Sequence, residues 1–148
     1  MAGGPCLLCE RPPRVATAFH CRLHHPLTVP RRSLLELQPF SSPSDTEQSL
    51  QRGQGFNSSS GRYMAPVSGF YQLTASLLIG ETSTPSHTKV SLESVTGVGS
   101  SGGVFSILLT GTLYLQAGEY VSIFVDNGTG SALTVLQDTL FSGILLGV

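Results

Sequence analysis

The chain has 148 residues, enough for one domain with a real buried core, and its 40% hydrophobic but 11% charged composition with 17 glycines and 9 prolines favours short strands and many turns over long charged helices. Eight basic residues stand against nine acidic ones for a net charge of −1, a balance that carries no electrostatic footprint for nucleic acid or an anionic membrane. No apolar run reaches the length of a membrane-spanning helix.

Residues 1–16 contain Pro5, Pro12 and Pro13 and no periodic apolar pattern, and they read as a flexible lead-in to a domain over 17–148. They lack the charged start and long apolar core of a secretory signal. Cys6 and Cys9 form a CxxC pair, but a second pair or matching histidines are missing, and His24-His25 with Cys21 is a poor substitute. No metal or cofactor is assigned. Val15 to Leu23 is compatible with a first strand, whereas Ser33 to Leu37 is too short for its periodicity to separate strand from helical turn. Gln38 to Ser60 is a Ser, Gln, Pro and Gly mixture anchored by Phe40, Leu50 and Phe56, which predicts a long surface loop with at most one short strand.

From Tyr71 to Leu77 apolar and polar residues alternate, so one face of a half-buried strand is apolar. Lys89 to Val95 alternates in the same way. Gly97 to Gly103 lacks the Lys-Ser/Thr of a phosphate loop and leads into a strand instead of a helix. Val104 to Leu109 is an almost continuous apolar run, which predicts a strand buried on both sides, with a subunit interface as the alternative for it and for Phe141 to Leu146. Leu113 to Leu115, the Ala117-Gly118 turn and the alternation of Val121, Ile123 and Val125 predict a hairpin region ending at Asp126-Asn127-Gly128. Leu133 to Leu136 and Phe141 to Leu146 close the chain, giving seven to nine short strands and an all-β sandwich whose C-terminus is pinned into the sheet.

Catalytic residues are not assigned. Ser68 lacks the preceding glycine of a nucleophile elbow, and His20, His24, His25 and His87 have no adjacent carboxylate to orient them. Asp126 and Asn127 fit either the shaping of a turn or a contribution to a calcium site assembled across strands. Asn57-Ser58-Ser59 and Asn127-Gly128-Thr129 are glycosylation sequons in predicted loops, and the pair favours export.

The order of Ala18 to Leu23, Ser60-Gly61-Arg62, Ala65 to Gly69, Leu115-Gln116-Ala117-Gly118, Phe124 to Gly128 and the Phe141-Ser142-Gly143 to Gly147 ending resembles the globular domain of the C1q/TNF-related proteins. More narrowly it is similar to the adipolin and erythroferrone branch, with adipolin the nearer of the two. The resemblance implies a jelly-roll sandwich assembled as a homotrimer in a secreted, non-enzymatic signalling ligand. A hormone of the adipolin type would act through a cell-surface receptor on glucose metabolism and insulin sensitivity. The erythroferrone type would instead sequester a growth factor, and a third reading is a structural trimerisation head. Between Ile79 and His87 the chain has only a short loop where the resemblance implies a further cysteine-containing strand, so the sheet must close by another pairing or be defective. With that segment absent, Cys21 is expected to be a free thiol.

Overall fold

The thirteen residues of β7 (Gly69–Glu81) run through the middle of the largest sheet in the computed structural model, which describes residues 16–42, 49–81, 87–90, 95–98 and 104–148. Tyr71, Leu73, Ala75, Leu77 and Ile79 are all buried, as the period of two requires for a strand with one face on the core. One edge of β7 is paired by β10 (Val104–Leu115) from Gly69↔Leu115 to Gly80↔Val104. The other edge is shared by β14 (Leu140–Gly147) over Phe70 to Ser76 and by β13 (Leu133–Val135) over Ile79 to Glu81. Both edges of β7 therefore have partner strands, which is the alternative pairing that the sequence called for.

Outward from β14 the sheet continues with β1 (Ala18–Arg22) and β4 (Leu50–Arg52), and β2 (Leu27–Val29) lies beyond β13. A second layer is built from two smaller sheets. One orders β11 (Tyr120–Val121), β6 (Arg62–Met64) and β5 (Phe56–Asn57); the other orders β3 (Ser33–Glu36), β12 (Phe124–Asn127), β8 (His87–Val90) and β9 (Val95–Val98). The architecture is an all-β sandwich, with fourteen strands among the described residues where seven to nine were expected. The surplus comes from two- to four-residue strands, too short to leave a periodic signature. Ser33 to Leu37 resolves as strand β3, and the 38–60 stretch holds both β4 and β5. Phe40 and Phe56 of that stretch are core residues.

Between the layers sits an aromatic cluster. Phe19 stacks on Phe56 with ring centroids 4.4 Å apart and meets Phe141 edge-on at 4.9 Å, while Tyr63 meets Phe19 at 4.6 Å and Tyr71 at 5.7 Å. Gly143 makes this packing possible: a Cβ there would lie 2.6 Å from Phe19 Cε1 and 2.8 Å from Leu73 Cδ2. The buried Tyr63 hydroxyl lies 2.8 Å from Thr17 Oγ1, whose own hydrogen goes to the Gln54 carbonyl at 2.9 Å, so Tyr63 is the donor of the pair. Cys21 is fully buried and unpaired, and burial pushes its thiol up to about 11.

Two sequence expectations are corrected here. The 111–127 region is not a hairpin: β10 pairs with β7, β11 with β6, and β12 with β3 and β8. The Gln116–Glu119 turn instead carries the chain from one layer to the other, docked on Ala65 by the Gly118 N to Ala65 O and Ala65 N to Glu119 O hydrogen bonds. Nor does the Asp126-Asn127-Gly128 turn join paired strands, since β12 and β13 lie in different sheets. Turn chemistry marks a reversal, and only the register shows what the reversed strand pairs with. The second correction concerns 104–109, which is buried on one side only: Ile107 and Leu109 face the core, and Val104 and Leu108 face outward. Cys6, Cys9 and the rest of the 1–15 part of the lead-in, the 99–103 part of the glycine-rich run, and residues 91–94 lie outside the described residues.

Candidate functional surface

The outward side of the large sheet is one of the two outer surfaces of the sandwich, and no layer covers it among the described residues. Along β7 the outward residues are Phe70, Gln72, Thr74, Ser76 and Leu78, opposite Tyr114, Thr112, Thr110, Leu108 and Ser106 of β10. Its middle is a polar ladder. Gln72 Nε2 donates to Thr110 Oγ1 at 2.8 Å, Thr112 Oγ1 donates to Gln72 Oε1 at 2.9 Å, and Thr74 Oγ1 lies 3.1 Å from Thr110 Oγ1. Around it are apolar side chains with no core to enter: Phe70 is 51% exposed, Tyr114 56% and Leu108 66%, with Leu50 and Leu146 also exposed. Leu146 points outward by the alternation that buries Phe141, Gly143 and Leu145, and the β14 register shifts beside it, between Leu145 and Gly147. Large apolar side chains gathered on one sheet face are what a protein partner covers.

Sequence reasoning reached part of this face by naming Val104 to Leu109 and Phe141 to Leu146. It missed Phe70 and Tyr114. Their signal was parity: each is an aromatic residue at a position whose neighbours two apart along the strand are polar.

The two sequons take the same local shape in opposite surroundings. Asn57 Oδ1 accepts from Ser59 N at 3.0 Å and Ser59 Oγ at 2.6 Å; Asn127 Oδ1 accepts from Thr129 N at 3.1 Å and Thr129 Oγ1 at 2.6 Å. Asn57 is exposed on the outer face of β5. Asn127 is fully buried, and its Nδ2 donates to the carbonyls of Val29, Pro30 and Ser131 at 3.1, 3.2 and 2.8 Å. The expectation of an exposed loop is therefore corrected for Asn127, whose amide nitrogen is spent tying the end of β12 to the β2 end and to the 127–131 loop. The bonds from Thr129 N and Oγ1 commit its oxygen, so the calcium alternative for Asp126-Asn127 loses its second ligand. No group of three or more His, Cys, Asp or Glu side chains that could hold a metal ion occurs among the described residues.

Other candidate groups have structural partners. Ser68 Oγ accepts from Ala117 N at 2.9 Å, and His24 and His25 contact each other edge-on at the surface. Arg62 reaches Glu36 through Nε at 2.9 Å and Nη2 at 3.0 Å, holding the Glu36 carboxyl below its usual range, and its guanidinium carbon lies 4.5 Å from the Tyr120 ring centroid.

A two-layer all-β sandwich with this outward face defines the class as a C1q/TNF-type jelly roll. Solved structures agree: the chain matches murine APRIL with a TM-score of 0.59 over 88% of this chain and 98% of that one, and the globular domain of a zebrafish complement 1qA protein with 0.53 over the same shares, each at 15% identity. In sequence the chain is similar to curated proteins of the adipolin and erythroferrone type. It is 39% identical to human adipolin over 90% of this chain and 50% of the relative, and 40% identical to human erythroferrone over 100% of this chain and 46% of the relative. These identities do not separate the two. The chain spans about half the length of the curated relatives it matches. The erythroferrone alignment runs over 168 positions against 148 residues here, so that relative carries at least 20 positions for which this chain has no counterpart. No protein-family model matches the chain. No helix among the described residues is long and apolar enough to cross a membrane.

Proposed function

We propose that the chain forms the trimeric head of a secreted signalling ligand of the adipolin type, which binds a cell-surface receptor and acts on glucose handling and insulin sensitivity. The observation that carries this is the exposed apolar face around Phe70, Leu108 and Tyr114 on a domain of this family. Covering that face between copies would bury its apolar rim and leave the loops as the contact surface for a receptor. The head has no catalytic role in this reading, and it needs neither cofactor nor metal. Domain limits of 17–148 and export from the cell belong to the same proposal.

The erythroferrone likeness supports a second reading, a module that sequesters a growth factor of the bone morphogenetic protein class. One experiment separates the two. Labelled domain is applied to insulin-responsive cells and, in parallel, to an immobilised bone morphogenetic protein. Saturable cell binding displaced by unlabelled domain, without growth-factor binding, is expected. Growth-factor binding without cell binding would replace the first reading with the second, and binding to neither would leave a structural trimerisation head.

A further inference from the structure

We propose that Asn57 carries an N-linked glycan whose first N-acetylglucosamine packs on the outer face of the β5–β6–β11 sheet, against Arg62, Met64 and Tyr120. The inference rests on the reading of the chain as exported and goes beyond it by naming what holds the sugar.

The register assembles the platform. Asn57 pairs with Arg62, and Met64 pairs with Tyr120, so four outward side chains from three strands form one patch. All four line an open groove that also includes Pro66. Met64 is 51% exposed and Tyr120 46%, apolar surface that the protein itself leaves uncovered. Arg62 is held in place from two sides, by Glu36 through Nε and Nη2 and by the Tyr120 ring. Its Nη1 has no acceptor among the described residues, which leaves a fixed donor beside Asn57. An acetamido carbonyl is the matching acceptor, and the apolar face and acetyl methyl of the sugar match Met64 and Tyr120. The tether selects this occupant over a free ligand, because a group attached at Asn57 begins at the rim of the groove.

The acceptor is also prepared. Asn57 Oδ1 takes hydrogen bonds from Ser59 N, Ser59 Oγ and, at 3.3 Å, Ser60 N, while Nδ2 has no partner among the described residues. Transfer from a lipid-linked pyrophosphoryl oligosaccharide would break the sugar C1–O bond to pyrophosphate and form the C1–Nδ2 bond, with the amide giving up one proton. Asn127, with the same sequon geometry, offers an Nδ2 already committed to three carbonyls.

The test is expression of the full chain behind an export signal in mammalian cells, followed by peptide mass mapping and trimming of the glycan to a single sugar. Mapping is expected to find the glycan at Asn57 and none at Asn127. In the single-sugar form, the acetyl methyl proton resonance is expected to be shifted upfield by the Tyr120 ring and to return to its free position in Tyr120→Ser. The single sugar is also expected to raise Tm by about 2–4 °C over Asn57→Gln, and that gain should disappear in Tyr120→Ser. An unmodified Asn57 would overturn both the site and its packing. A modified Asn57 with an unshifted methyl and no Tm gain would overturn the packing alone and leave the modification standing.

Discussion

Phe70 and Tyr114 meet edge-to-face on the outward side of the large sheet, with ring centroids 5.2 Å apart, at a point where β7 and β10 pair directly. Such a pair contributes about 0.5–1.5 kcal/mol beyond area burial once it is covered, but on a free surface it leaves two aromatic rings in water. If three copies cover it, a charge there cannot be accommodated. Tyr114→Glu is expected to yield single chains with an unchanged far-ultraviolet circular dichroism spectrum. A variant that still assembles would remove this face from the interface.

The polar ladder beside these rings predicts a different outcome. Gln72→Leu removes both hydrogen bonds that Gln72 makes to Thr110 and Thr112 and leaves an apolar strip in their place. Assembly is expected to persist with a mixed stoichiometry, because buried polar groups fix register more than they add stability. Native mass spectrometry would show it as additional species beside the main one.

Much of the sandwich was legible in the sequence. The alternation of Tyr71 to Leu77 gave β7 and its buried face, and the apolar ending gave β14. What escaped had physical reasons. Two- and three-residue strands such as β5 and β11 have no period to read. The Ala117-Gly118 and Asp126-Asn127-Gly128 turns carry hairpin chemistry, yet the strands on either side of each lie in different sheets, a long-range choice that no local signal encodes. Asn127 looked like a loop residue because Asn-Gly is a turn signal, while its three backbone acceptors come from residues 29, 30 and 131.

Those three bonds make Asn127 a structural residue. Asn127→Ala leaves the carbonyls of Val29, Pro30 and Ser131 and the Thr129 hydroxyl without this partner, at a cost of about 2–4 kcal/mol. Urea unfolding should report a lower midpoint with an unchanged slope. A loss under about 0.5 kcal/mol would mean that the network is dispensable.

Gly143 sits against the ring of Phe19 inside the aromatic cluster, and that ring is fixed by Phe56 and Phe141. Gly143→Ala is expected to destabilise the domain by about 1–3 kcal/mol through overpacking. Thermal unfolding of the variant checks it, and an unchanged Tm would show that the cluster can shift.

Burial raises the Cys21 thiol from 9.0 to about 11, so the folded state favours the protonated form more than the unfolded state does. The sign follows directly: this contribution is complete below the unfolded value and is lost as pH rises through about 9 to 11. Stability of the unmodified chain should therefore fall more steeply with pH across that window than stability of Cys21→Ala. Parallel slopes for the two would contradict it. In the native state the thiol is also expected to resist alkylation at pH 8 and to react once the chain is denatured.

Assembly of the domain through its exposed sheet face is read out by light scattering on the full chain after size-exclusion chromatography. A single species with three times the chain mass is the predicted result. A monodisperse monomer with native β-structure at micromolar concentration would contradict the account, because the Phe70, Leu108 and Tyr114 face would then be stable in water without a partner copy.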